Sequence, residues 1–305
     1  MATKTILKVK NIKVNVSSNG HEVPTSRLDV RKTYKLYIDG KFPRTESGRV
    51  YALKDASGKL IANVCRGSRK DLRDSIVSNR KAQEGWAKKS AYNKAQILYR
   101  IAETLEGRRG QFIDTLVQQG DSSINAKKEV DAAIDLLVYY AGWSDKYIQV
   151  FSSVNPVESS HFNFSYHEPM GVVSVVAPLQ QGLMGMVSLL APMIIGGNVC
   201  ALLASEKYPL TAVDFGEVLN ASDVPGGVVN ILTGYRKEFL SHASSHMDIN
   251  AILFADLDTE QKKLVQINAA LNVKRVLDFS KEDLQSPYRI LAAQETKTTW
   301  HPIGS

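Results

Sequence analysis

The chain carries two cysteines, Cys65 and Cys200. A thiolate is the side chain that attacks a carbonyl carbon to form a covalent intermediate. To do so it needs partial exposure and an electropositive setting. Cys200 stands in the apolar run "GGNVCALL" and reads as a small buried hydrophobe. Cys65 follows "LIANV" at a strand end beside Arg66, where it could be exposed. His242 and His246 lie four apart, a spacing that brings two imidazoles to one helix face and can bind a metal. No Glu follows His242 and no third ligand is evident, so the pair reads as a surface helix end and no metal is expected. Pro178 to Gly182 follows the buried-looking strand Gly171–Ala177, where an α/β enzyme places its working loop. No GxGxxG or P-loop run offers a glycine-rich phosphate cradle.

Other residues must hold these groups. With 305 residues the chain can form one large domain or two moderate ones. Its 44% hydrophobic and 23% charged content is that of a soluble globular protein. The most apolar stretch, Leu183–Ile195, is too short to span a bilayer and reads as a buried helix, so no membrane partner is expected. The N-terminus lacks the apolar core and cleavage site of a secretory signal. Two cysteines fit a reducing cytoplasm and argue against a disulfide scaffold. The net charge of +7 is spread over amphipathic helices and the N-terminal arm and reads as solvated surface. No zinc-finger spacing or aromatic-basic signature supports a nucleic-acid partner.

Along the chain, "TILKVKNIKVNV" alternates like an added strand. "YKLYIDGKF" predicts a hairpin turning at Asp39-Gly40, and "RVYALKDASGKLIANVCRG" a second turning at Ser57-Gly58. Three helices follow. The first is capped by Ser68 with Asp71; the second starts near Ser90 and breaks at Arg108-Arg109-Gly110; the third starts near Ala126. Val154 to Ser159 reads as a polar loop, and "HFNFSYH" as a strand with one wet face. From Val172 to Phe279 strand and helix alternate: Val172–Ala177, Gln181–Ile195, Val199–Leu203, Leu210–Asn220, Val228–Thr233, Arg236–His242, Ala251–Phe254, Thr259–Leu271, Val273–Phe279. That order predicts an α/β fold, a Rossmann-like parallel sheet with helices on both faces.

The run "YHEPMGVVSVVAPLQQGLMGMVSLLAPMIIGGNVCALLASEKYPLTA" resembles the cofactor half of an aldehyde dehydrogenase. "YIDGKF", "EGWAKKS", "DVPGGVVNILTG", "NVKRVLDFSKEDLQSP" and the tail "ETKTTW" resemble further parts of that superfamily, from about Tyr34 to Pro287 plus the tail. Where the family inserts its catalytic domain, this chain has only the connector Phe279 to Ala293. It looks most like the shortened, non-catalytic second unit of the two-unit aldehyde dehydrogenases. The resemblance implies residues 1–33 as an N-terminal extension. It implies 34–148 and 169–287 as an NAD-binding-like domain, and 149–168 with 288–305 as an oligomerisation flap and C-terminal strand.

The same resemblance places vestiges of dehydrogenase chemistry. Gln180 stands where the family has the Asn that binds the oxyanion, and Asp278 near the general-base Glu. Neither cysteine matches the family nucleophile. Glu206 keeps one ribose-binding position, whereas Leu203 replaces the Lys of the other and cannot donate to a hydroxyl. Asp256 replaces the glycine that lets a backbone approach the phosphates. Asp258 reads as an N-cap, and both carboxylates repel a pyrophosphate. No catalytic residue and no bound cofactor are therefore expected.

The expected function is a non-catalytic aldehyde dehydrogenase-like subunit, a scaffold or regulator of an active aldehyde dehydrogenase. Two alternatives stand beside it: an NAD-dependent oxidoreductase acting on aldehydes, and a small-ligand-binding module using the crevice at the strand ends. The expected partner is an active aldehyde dehydrogenase subunit or a second copy. The contact falls on His161, Phe162, Phe164 and Tyr166 of the flap and Thr296, Thr298 and Trp300 of the tail, by strand addition.

Overall fold

The computed structural model describes residues 32–55, 57–280 and 283–304, together with the backbone of 14–16 and 22–24. The chain divides into two compact units, Met1–Lys32 and Thr33–Ser305. In the first, β1 (Val14–Val16) pairs antiparallel with β2 (Glu22–Pro24). The rest of the expected strand "TILKVKNIKVNV", and most of the expected N-terminal extension, lie outside the described residues.

The second unit opens with a small sheet. β3 (Thr33–Tyr34) runs parallel to β5 (Leu60–Cys65), which pairs antiparallel with β4 (Val50–Lys54) across the expected Ser57-Gly58 turn. At the other expected hairpin, Asp39 and Gly40 both have positive φ (55° and 70°), and Ile38 and Lys41 exchange backbone hydrogen bonds of 2.9 and 3.0 Å. That is the two-residue turn anticipated for Asp-Gly. Its flanks are single bridges rather than strands, because the Tyr37 backbone is taken by Ile231 through bonds of 2.9 and 2.7 Å.

Four long helices follow. α1 (Arg69–Ala87) starts with the Ser68–Asp71 capping box. α2 (Ala91–Gly107) and α3 (Arg109–Gln118) are separated at Arg108, as expected. α4 (Ser123–Trp143) begins three residues before the anticipated Ala126, because the Ser122 hydroxyl accepts from the Asn125 amide at 3.2 Å and caps it there. After α5 (Lys146–Phe151), Ser153–Asn155 is a strand, β6, and not part of a loop. It pairs with β7 (His161–Pro169), and Asn155 Nδ2 donates to Asn163 Oδ1 at 2.6 Å across the pair.

The strand-helix alternation then runs β8 (Val172–Val176), α6 (Met184–Ile195), β9 (Val199–Leu203), α7 (Pro209–Ala221), β10 (Val229–Leu232), α8 (Arg236–Ser245), β11 (Ala251–Phe254), α9 (Thr259–Ala270) and β12 (Arg275–Asp278). α6 starts three residues after Gln181, whose φ of 57° lies outside the right-handed helical region. α10 (Tyr288–Leu291) and β13 (Gln294–Pro302) are the last elements among the described residues.

Five strands form one all-parallel sheet in the order β10-β9-β8-β11-β12. β8, β9, β10 and β11 are buried along their whole length, as a sheet covered on both faces requires. α2, α3, α4, α6 and α7 pack together in one layer, and α1, α8 and α9 in another. Burial of these helix faces against the sheet makes the main core, with Trp86 inserted so that its Nε1 donates to the Ile194 carbonyl at 2.9 Å. No helix among the described residues is long and apolar enough to cross a membrane.

From β8 the chain steps outward to β9 and β10, then returns to β8's other side as β11 and β12. The carboxyl ends of β8 and β11 therefore bound the crevice where such sheets bind ligands. A separate three-stranded sheet, β13-β7-β6, holds β13 antiparallel along β7 from Gln294 opposite Pro169 to Pro302 opposite His161.

Candidate functional site

Four helices start at the carboxyl end of the parallel sheet, and each points unpaired amides there. α6 has no capping side chain at Leu183; instead Glu129, from α4, accepts from the Leu183 and Met184 amides at 2.7 and 3.1 Å. α7 receives the Gln119 carbonyl on the Leu210 amide at 2.9 Å. α8 receives Glu206, whose Oε1 accepts from the Arg236 amide at 2.6 Å. α9 is closed by its own Asp258, which accepts from the Gln261 amide at 2.8 Å while Gln261 bonds back to the Asp258 amide. Three of these four positive poles thus already hold a carboxylate of the protein.

The crevice itself is bridged by Asp256, just past β11. Its Oδ2 accepts from the Leu179 amide at 2.6 Å, and its Oδ1 from Arg236 Nη2 at 2.7 Å. The Arg236 side chain is 4% exposed, and Nη2 also donates to the Ala177 carbonyl at the end of β8. Its Nε has no partner among the described residues. One ion pair therefore ties the ends of β8 and β11 to the start of α8. The donors that would face an anionic ligand here are held by an internal one.

Beside this bridge lies an open cleft of about 540 Å³ between α4 and the Pro178–Gly182 loop. Tyr208 donates to Asp121 Oδ1 at 2.7 Å on its wall, and Gly182 packs so close that a Cβ there would sit 2.3 Å from the Tyr208 Cβ. Burial pushes the Glu129 carboxyl up, with the Asp121 charge adding to it; the two amide bonds and the Lys207 charge only partly offset this. Desolvation, followed by the bond and charge of Asp121, raises the Tyr208 hydroxyl.

Gln180 is exposed on the loop, and its Oε1 accepts from Lys207 Nζ at 3.0 Å. Leu203 is 5% exposed and packs in the core at the end of β9. Glu206 serves the α8 amide and Asp256 the bridge, as above. Asp278, at the end of β12, is paired with Lys262 at 2.6 Å and accepts from the Ser280 amide at 3.0 Å. Desolvation pushes its carboxyl up, but the bonds from Lys262 and Ser280 outweigh that and hold it below the usual carboxylate range, leaving a weak base. Cys200 is fully buried, which raises its thiol far above the ordinary value. Cys65, expected to be open to exposure, is 1% exposed. No cluster of three metal-ligating side chains exists among the described residues.

Flap and tail residues come together in one sheet. The rings of Phe162, Phe164 and Tyr166 stack along β7 at 5.6 and 6.1 Å, and His161 meets Trp300 at 6.0 Å. Thr298 bonds to Ser165 at 2.9 Å, and Thr296 faces His167. β7 is the middle strand, paired with β13 along its whole length and with β6 over Asn163–Ser165, and among the described residues the long unpaired edge belongs to β13. Sequence reading missed Arg236 and Glu129. A cation at the first turn of a helix, against the dipole, and a helix with no Ser, Thr, Asp or Asn at its start were the available signals.

A family model described as "Aldehyde dehydrogenase family" matches residues 42–277, ending within β12. Retinal dehydrogenase 2 of Mus musculus is 30% identical over 260 residues, covering 83% of this chain and 49% of that protein. Omega-crystallin of Enteroctopus dofleini is 28% identical over 258 residues, covering 83% and 51%. An NAD+ complex of aldehyde dehydrogenase from Bacillus cereus superposes with a TM-score of 0.77 at 23% identity, covering 81% of this chain and 50% of that one. The chain spans about half the length of the relatives it matches.

Proposed function

The chain belongs to the aldehyde dehydrogenase family, and within it we propose a non-catalytic role: a dehydrogenase-like subunit that scaffolds or regulates an active aldehyde dehydrogenase in the cytoplasm. One observation carries this reading. The carboxylates of Asp256, Glu206, Glu129 and Asp258 hold the donors at the carboxyl end of the sheet. A dinucleotide needs those donors for its pyrophosphate and ribose. The residues present do not fit NAD: its phosphates would meet the Asp256 charge, and Leu203 offers nothing to a ribose hydroxyl.

The lack of a usable thiol supports the same reading. Both cysteines are buried, and neither lies at the crevice. Between β12 and β13 the described residues form only α10, with no room for a second domain. The open edge of β13, nine residues long, is the surface for a partner. Main-chain hydrogen bonds along such an edge give affinity whatever the side chains.

A second reading, an NAD-dependent oxidoreductase acting on aldehydes, draws on the relatives, which include retinal dehydrogenase 2 and an NAD+ complex of a Bacillus cereus aldehyde dehydrogenase. Calorimetric titration with NAD and NADP separates the two. The proposal expects no saturable binding up to millimolar cofactor; micromolar binding overturns it. The partner is tested by light scattering of the chain alone and mixed with an aldehyde dehydrogenase of the same organism. A mixed complex supports the scaffold role. A stable monomer that leaves the enzyme's activity unchanged defeats it.

A further inference from the structure

A second cavity, of about 680 Å³, opens between α1 and α8, outside the crevice just described. Its charge is one-sided. Arg49, Arg69, Lys70 and Arg73 line it against a single carboxylate, Glu46, with His242 and His246 opposite. Arg69 and Arg73 are one turn apart on α1; His242 and His246 are one turn apart on and just after α8. The cavity is thus flanked by an arginine pair on α1 and by two imidazoles at the end of α8.

Two of the four cations, Lys70 and Arg73, already have a carboxylate partner, and Arg69 does not. Glu46 already takes Lys70 Nζ at 3.3 Å and the Ser68 hydroxyl at 3.2 Å. Asp71 is buried and accepts from the Ser68 amide, the Glu46 amide and the Thr45 hydroxyl. Arg73 meets Asp74, which does not line the cavity. The Arg69 side chain makes no hydrogen bond or ion pair with any described residue and is exposed. His246 accepts the Asp248 amide on Nδ1 at 3.2 Å, which leaves Nε2 to carry the proton of the neutral ring. The Lys274 ammonium, bonded to the His246 carbonyl at 2.7 Å, fixes that residue's backbone. Leu72 supplies an apolar floor.

We propose that this cavity binds a phosphate-bearing small molecule, with Arg69 and Arg73 gripping the anion from α1 and His242 and His246 from α8. Guanidinium forks match phosphate oxygens in geometry as well as charge, and imidazole N–H groups add donors. The cavity holds a ligand larger than a single phosphate, so pyrophosphate is the probe. The site is independent of the dehydrogenase-like crevice, so its test does not turn on the NAD titration.

The experiment is calorimetric titration of the full chain with sodium pyrophosphate at low ionic strength, repeated on Arg69→Ala and His242→Gln. Both side chains lie at the surface or half-buried and make no bond that the fold needs. One-to-one saturable binding is expected, weakened about tenfold or more in Arg69→Ala, the effect of losing one charged hydrogen-bond donor. His242→Gln should weaken it as well. Absence of saturable binding overturns the proposal, as does binding that neither variant changes. Binding of a duplex oligonucleotide in preference to pyrophosphate overturns it too.

Discussion

Replacing Asp256 with alanine strikes the bridge across the crevice most directly. Arg236 would keep the Ala177 carbonyl but lose its only ion-pair partner among the described residues while 4% exposed, with Nε already unpartnered among them. Removing one partner of a fully buried pair costs about 3–5 kcal/mol. Here the Asp256 side chain is 30% exposed, so water reaches the pair and the expected loss is smaller, about 2 kcal/mol. For a chain of 305 residues that lowers Tm by roughly 3–4 °C. Urea unfolding should show a lower midpoint with an unchanged slope, since the buried area stays the same. Arg236→Met supplies the second arm of a double-mutant cycle. The two changes should be strongly non-additive, because the double variant leaves no unpaired charge. A change within about 0.5 kcal/mol for Asp256→Ala, or simple additivity with Arg236→Met, would refute the idea that this pair closes the crevice.

Other perturbations test other parts of the molecule. Lys274 is buried, which lowers its ammonium to about 8. Between that value and the ordinary lysine value the folded chain binds fewer protons than the unfolded one, so stability should rise with pH across this window. Lys274→Met should lack that rise when ΔG is measured at pH 7.5 and 10. Val273 sits at φ 55° and 94% exposed where α9 ends, with the Lys274 amide returning to the Ala269 carbonyl at 3.0 Å. This is the position that glycine favours, so Val273→Gly relieves strain at no loss of packing and should raise stability by about 0.5–1 kcal/mol in urea unfolding. Finally, neither Cys65 nor Cys200 should react with a thiol-specific chromogen in native buffer, and both should react in urea. Rapid stoichiometric labelling of the native chain would contradict their burial.

Local features were legible because their causes are local. The Ser68–Asp71 box, the Asp39-Gly40 turn and the break at Arg108 depend on residues within a few positions of each other. The apolar strands announced a doubly covered sheet for the same reason. For the candidate site the sequence offered only what the family resemblance implied, Leu203 and Asp256 as vestigial positions. What fills the space was hidden, because Arg236 and Asp256 lie twenty residues apart and Glu129 caps a helix that begins 55 residues later. No periodicity encodes such pairings. β6 was missed because three residues of Ser-Val-Asn carry too little pattern, and its strand state comes from the β7 edge that receives it.

The route from β12 to β13 has an evolutionary reading. β12 is locked in register to β11, and β13 is fastened along β7, so each end of the connector is anchored without help from the connector itself. Because closing a longer loop between fixed ends costs only about 0.6 kcal/mol per doubling of its length, a whole module can be gained or lost at this joint. The remaining scaffold keeps its strand order either way, and the joint works as a seam at which the fold tolerates insertion and deletion.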